Sequence, residues 1–424
     1  MTSLRANLAR RARRILNTSL NLLLQPLSRL SARRADHWLF GHQSNVFAGN
    51  SKYLFLWISI HCPQRRAVWI TDNEETRRLI TEAGFVAYPR WSPSGILATL
   101  RSKVFVYCHD ISDINPALSG GAYLLNLGHG VGIKATQLGD KLSAVSRHQK
   151  YRSWPLAKMI FPDFLTEPDA LATTSPFMQQ HFSSQCGIPA ERCPQLGYPR
   201  LDGNWDKEVK EASTGIDRRQ GFQFNPEGFG EIYLYVPTYR DSGRDFIAHA
   251  LPDMDRLSLA LKVRNALLYI KLHPYTEVGF QPDYPNVILW PKGVEVSTYL
   301  GQVDGLITDY SSLLYDFLFV RDTGAVLYTF DYDTYVRQDR SLVHSFEENT
   351  AGLRVSTFDE LCQAISTGRV LEPCPGAAEI REKFWSGCSG PASPGVLRYV
   401  TEALQNAGTA LHDSEKQSAT AESQ

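Results

Sequence analysis

LITDYSSLLYDF, residues 306–317, changes its period half-way along. Leu306 and Ile307, behind Gly305, read as the end of a buried strand, while Leu313, Leu314 and Phe317 recur at helical spacing. Asp309, Tyr310, Ser311 and Ser312 lie between them, so a strand runs through a polar turn into a helix expected to begin at about Ser312. That is half of a βαβ unit, and the turn falls where α/β proteins bind ligands, at the carboxyl end of a strand. Backbone N–H groups and the dipole at a helix N-terminus favour an anion, and two serine hydroxyls add donors. A phosphate or diphosphate is the natural guest. Asp309 repels phosphate, so it reads as a cap, or as a partner for a sugar hydroxyl or a cation.

Outward from this stretch the pattern repeats. Residues 37–43, 66–73, 85–89, 102–110, 122–130 and 170–176 read as strands, with a helix at 74–84. A second series reads as strands at 232–241, 266–274, 286–291, 305–312 and 325–331, with a helix at 357–366 behind Thr357. Such alternation means parallel sheets. The polar, glycine-spotted stretch 206–231 reads as a linker, and residues 408–424 as a disordered tail. The expected architecture is α/β: two doubly wound, Rossmann-like domains facing across a cleft, at 36–205 and 232–407.

The chain has 424 residues with 44 basic and 44 acidic side chains, a balance that points to no nucleic-acid partner. The distribution is uneven. Residues 1–34 hold eight arginines (Arg5, Arg10, Arg11, Arg13, Arg14, Arg29, Arg33, Arg34) and no acid, leaving 36 basic against 44 acidic residues in the rest. Leu4, Leu8, Ala12, Leu16, Leu20, Leu23, Leu27 and Leu30 recur on one helical face. Segment 1–35 therefore reads as a basic amphipathic helix suited to an anionic membrane surface, each basic residue contributing on the order of 1 kcal/mol. It is too short and polar to span a bilayer, so the expected location is peripheral, at the cytoplasmic face of the cell membrane. Seven cysteines without a CxxC pair argue against a disulfide framework or a zinc cluster.

Further polar clusters end other strands. His129 stands in Gly128-His129-Gly130, followed by Lys134, and can serve as a general base. His273 ends a strand in the other half, before Pro274. Thr238, Arg240 and Asp241 end a third strand, and Arg337 and Arg340 are spaced to share a helix face and to meet phosphate oxygens. No metal motif, P-loop or dinucleotide fingerprint is present. No cofactor is expected, although magnesium is compatible with the site.

These stretches, in this order, resemble the CDP-glycerol glycerophosphotransferase family: teichoic-acid primases, polymerases and related capsule enzymes. The likeness rests on WLFGHQSNVFAGNSKYLFLWI (38–58), His129-Gly130 with Lys134, GYPRLD (197–202), PTYR (237–240), His273-Pro274, TDYSS (308–312) with Asp316, and Tyr335, Arg337 and Arg340. It departs from the family pattern at Gly128, where tryptophan is usual, in VGIKATQ (131–137), and at Ser341, where glycine often stands. The resemblance implies a GT-B-like fold. It also implies transfer of glycerol phosphate or a related polyol phosphate from a CDP-activated donor to a hydroxyl of a lipid-linked or polymeric glycan, releasing CMP. By resemblance His129 is the base. A protonated His273 with Ser311 and Ser312 holds the donor diphosphate, and Arg337 and Arg340 contact phosphate; Thr238, Arg240 and Asp309 complete the expected donor-binding set, while Gly130 and Lys134 meet acceptor or phosphate. A nucleotide-sugar glycosyltransferase on the same fold is the alternative.

Overall fold

The computed structural model describes the chain apart from residues 1, 141–142, 155, 244–245, 274–275, 277–282 and 422–424, and apart from the side chains of 1–14 and 408–421. Pro274 is thus outside the described residues. Two six-stranded, all-parallel sheets form the framework. The first has the order β3-β2-β1-β4-β5-β6, from β1 (Arg34–Phe40), β2 (Arg66–Ile70), β3 (Ala87–Tyr88), β4 (Ser102–Tyr107), β5 (Tyr123–Asn126) and β6 (Ala170–Leu171). The second, β12-β11-β10-β7-β8-β9, is built from β7 (Glu231–Val236), β8 (Ala266–Ile270), β9 (Val287–Leu289), β10 (Gly305–Thr308), β11 (Ala325–Tyr328) and β12 (Leu353–Val355). Both are doubly wound, as the alternation implies. The expected strands are present but shorter, because their polar ends are loops on the cleft. β12 escaped the reading, since an edge strand of three residues (Leu-Arg-Val) carries almost no periodic signal.

Central strands are buried on both faces, which is why β10 and β11 carry unbroken buried runs. One apolar core, with Trp38, Phe40, Phe55 and Trp69, sits under the first sheet. A second, with Leu234, Leu306, Leu314 and Trp385, reaches into the first half through Tyr198 and Leu201.

Two boundaries fall elsewhere than the sequence suggested. The expected linker contains a helix, Lys207–Arg219, capped by Asp206. Val209 and Ile216 enter the first core, seven residues apart on one face, a spacing masked by the surrounding charges. The last helix, Ser393–Ala421, also returns to the first half: Val396 and Val400 are completely buried there. Its backbone is helical well past 408, where a disordered tail was expected. Asp202 fixes the crossing by accepting the Ala392 and Ser393 amides at 2.7 and 2.9 Å.

The N-terminal helix spans Thr2–Ser28 and is the docked beginning of the first domain. Ser28 Oγ accepts the Gly120 amide. Arg33 donates to the carbonyls of Thr99, Ser102, Leu118 and Gly120, so this arginine is an interior tie and does not face a lipid surface. Arg34 pairs with Asp36. Ile15, Leu16, Leu23, Leu27 and Leu30 remain exposed. Among the described residues no helix is long and apolar enough to cross a membrane. All seven cysteines are unpaired.

Candidate active site

A cavity of about 680 Å³ opens between the two sheets' carboxyl ends. His129 and Lys134 line it from the first half, and Thr238, His273, Asp309, Ser311, Ser312 and Arg340 from the second. The sequence thus brought most of its candidates to one place. Strand endings in both halves converge there because parallel strands deliver all their carboxyl ends to one edge.

His129 follows β5 and faces the cleft. Its ring lies flat on that of His109, with centroids 5.0 Å apart and planes 8° apart. It sits deep among protein atoms, although the cleft keeps it accessible to water. That depth, and then the neighbouring His109 and Arg200, push its pKa down, while a hydrogen bond to the Cys108 backbone pulls the other way. His129 is therefore neutral at pH 7, the form a base requires. The loop is sewn from beneath. Asn50, in the helix Gly49–His61, donates to the carbonyls of Leu127 and Gly128 at 3.1 and 3.0 Å and accepts the Arg200 amide. This gives the NSKYLF segment a physical role. At Gly130, with φ +152°, the halves lie close: an added Cβ would stand 3.2 Å from Ser312 Oγ of the other half.

In the second half, the helix Leu313–Val320 starts on the cavity wall. Ser311 Oγ accepts the Leu313 amide. Thr238 Oγ1 is buried without a hydrogen-bond partner on the same wall. Burial pushes Lys134 down to about 8, and its ammonium lies over the Tyr335 ring. Burial likewise lowers His273, which packs against Tyr239.

Three of the expected donor-binding residues have other partners. Arg240 is completely buried and does not line the cavity. Its guanidinium donates to both oxygens of Asp331, to Asp309 Oδ2 and to the Thr238 carbonyl, beneath Phe246 and Tyr335. Asp309 reaches the cavity wall, but its carboxylate accepts from Arg240 and from the Thr238 and Tyr310 amides. It is a strut that shapes the turn, which explains a carboxylate beside an anion-friendly helix end. Arg337 is exposed, off the cavity, and bonded to the Asp333 carbonyl of its own helix. Arg340 lines the cavity while paired with Asp241.

One pair at the site was absent from the candidates. Arg200 and Asp316 form a buried two-pronged ion pair at 2.9 and 2.7 Å, joining the halves behind Gly130. Both residues stand in motifs read from the sequence, GYPR and the helix after TDYSS, but their pairing across 116 positions has no local signal. The halves also meet in a short antiparallel contact: Ala135 donates to Ser341 and Val343 to Ile133.

The family described as CDP-Glycerol:Poly(glycerophosphate) glycerophosphotransferase matches residues 25–402. The chain belongs to this family. Similar curated proteins include the teichoic acid ribitol-phosphate polymerase TarK of Staphylococcus aureus, 27% identical over 46% of this chain and 37% of its own length. A teichoic acid ribitol-phosphate primase of Bacillus spizizenii is 27% identical over 43% of this chain and 46% of its own. The chain thus spans between about a third and half of the curated relatives' lengths. Among solved structures, the wall teichoic acid polymerase TagF, in one variant, superposes with a TM-score of 0.70 at 16% identity, covering 94% of this chain and 98% of the other. A TagF variant soaked with CDPG gives 0.67 at 16% identity, over the same shares of both chains. This likeness establishes the two-domain fold.

Proposed function

We propose that this protein transfers glycerol phosphate, or a related polyol phosphate, from a CDP-activated donor to a hydroxyl of a lipid-linked or polymeric glycan. The placement of His129 and His273 on opposite walls of one cavity, beside Ser311 and Ser312, carries the reading. The relatives, a ribitol-phosphate polymerase and a ribitol-phosphate primase among them, agree with it.

In the proposed reaction the acceptor hydroxyl attacks the phosphorus that bears the polyol. His129 takes the hydroxyl proton, a new P–O bond forms, and the bond to CMP breaks. His273 and the hydroxyls of Ser311, Ser312 and Thr238 donate hydrogen bonds to the diphosphate. Lys134, Arg340 and the helix end at Leu313 offset the charge that gathers on departing CMP. The acidic strut Asp309 is held away from phosphate by its three protein donors.

The acceptor side faces a membrane in this reading. Supporting it are the exposed leucines of the N-terminal helix and the adjoining basic segment, where Trp154 and Leu156 are exposed between Lys150, Arg152 and Lys158. The helix Ala157–Ile160 packs on the N-terminal helix, which brings the two stretches together. Aromatic and basic residues together suit an anionic interface. The protein accordingly works as a peripheral protein on the cytoplasmic face of the cell membrane.

The deciding assay offers labelled CDP-glycerol and CDP-ribitol, each with a lipid-linked glycan, and follows CMP. Release of CMP with transfer of label is expected. No CMP from either donor, with turnover of a UDP-sugar, would replace this reading by a glycosyltransferase.

A further inference from the structure

Behind the His129 ring lies a second layer of imidazoles that the proposed reaction does not use. His109, at the end of β4, stacks face to face on His129 at 5.0 Å. His42, after β1, meets His109 edge-on at 4.9 Å. Three strands of the first sheet thus contribute one imidazole each to a row that ends at the cavity.

The row is rigidly mounted. Asp113 Oδ2 accepts the backbone amides of Cys108 and His109 at 3.1 and 3.0 Å. Asn126 donates to the His109 carbonyl at 3.1 Å and accepts the Gly128 amide at 2.8 Å. One asparagine therefore ties the backbone under His109 to the backbone leading into His129. His109 Nδ1 is buried without a hydrogen-bond partner, 3.6 Å from Asp113 Oδ2, and Asp113 Oδ1 is buried and unpartnered as well. These groups form no exposed surface feature, and no apolar core claims them.

We propose that His109 is a positioning residue for His129, holding the plane of the ring by face-to-face stacking while the Cys108 carbonyl takes one ring nitrogen. This rests on the transferase reading above. With one nitrogen committed to Cys108 and one face covered by His109, the ring cannot rotate away, and the remaining nitrogen is fixed as the acceptor of the hydroxyl proton. The charged or titratable groups around the pair are His42 and Asp113 from the first sheet's loops and Arg200 from the segment that reaches the second half. The depth of the ring among protein atoms and the nearby Arg200 guanidinium keep His129 from taking a proton before substrate arrives. Asp113 sits behind His109 to offset the imidazolium that forms during transfer.

The test uses the full chain with His109→Ala and His109→Phe, and reads histidine ring signals by NMR across pH beside turnover of CDP-glycerol and CDP-ribitol. His109→Ala removes the stack. The His129 midpoint then rises toward the ordinary value of about 6.5, and kcat falls ~10²-fold, the scale of a misplaced catalytic group, with KM for the donor unchanged. His109→Phe restores the flat contact and with it most of kcat; should His109→Ala fail to fold, this variant still carries the titration. A His129 midpoint the same in wild type and His109→Ala overturns the proposal, as does an alanine variant with wild-type kcat, or a folded phenylalanine variant that loses kcat ~10²-fold. If neither CDP-polyol is consumed by the wild type, the transferase reading fails, and the titration still decides whether His109 holds His129.

Discussion

Gly128 and Gly130 flank His129 with φ of +62° and +152°, angles that other residues adopt only under strain. This local backbone places an imidazole at the cavity, and His129→Ala should lower turnover at least ~10²-fold, the lower end of acid–base contributions. His273→Ala should do the same, read as CMP release. Because the folded pKa of His129 lies below its unfolded value of about 6.5, the base stays competent as pH falls through 6.5. The acid limb of kcat/KM is expected below that point. The unfolded chain binds the proton more readily, so the same shift costs fold stability as pH drops below 6.5, a trend that urea titration at several pH values would reveal. Arg240 belongs to the scaffold. Arg240→Met leaves Asp309 and Asp331 buried without their cation, and should cost about 3–5 kcal/mol of stability in urea unfolding, with activity lost as the turn at Asp309 relaxes. The sequence marked Arg240 as polar and near a strand end. It could not show that Asp331, 91 positions away, would claim it.

Elements were legible in proportion to their periodicity. Strand–turn–helix at 306–317 is present as read, since Gly305–Thr308 and Leu313–Val320 each carry a clear pattern. The helix Lys207–Arg219 was not, because its buried face is only four residues (Val209, Ser213, Ile216 and Asp217), two of them polar. Asp217 is buried against Lys52 and Tyr299, a long-range arrangement with no trace in composition. For the N-terminal helix, Leu23 and Leu27 are exposed, so Leu23→Glu with Leu27→Glu should leave thermal unfolding unchanged. Vesicle affinity, read by cosedimentation, should fall roughly 10²- to 10⁴-fold, from the loss of about 1.5–3 kcal/mol per leucine buried in lipid. Unchanged binding to anionic vesicles would end the membrane assignment. Removing all of residues 1–34 is a poorer experiment, because it also strips the four carbonyl contacts of Arg33.

Across the whole molecule, the two halves are joined at three places. Arg200 and Asp316 join them through a buried pair, the last helix crosses back, and residues 133–135 lie against 341–343. Arg200→Ala strands Asp316 in the interior and should destabilise by about 3–5 kcal/mol. Pairing it with Asp316→Ala should recover part of that loss, a double-mutant coupling read from urea midpoints. The two-domain plan was legible because alternation is a local property repeated along the chain; the joints were not, because each is a meeting of residues remote in sequence.

The strip at 133–135 has a mechanical corollary. It continues the peptide that carries His129, yet its amide and carbonyl groups are bonded to the opposite lobe. Swinging the lobes apart would tear several backbone bonds together. Opening of the cavity is therefore resisted at the strip itself, next to the peptide that carries His129.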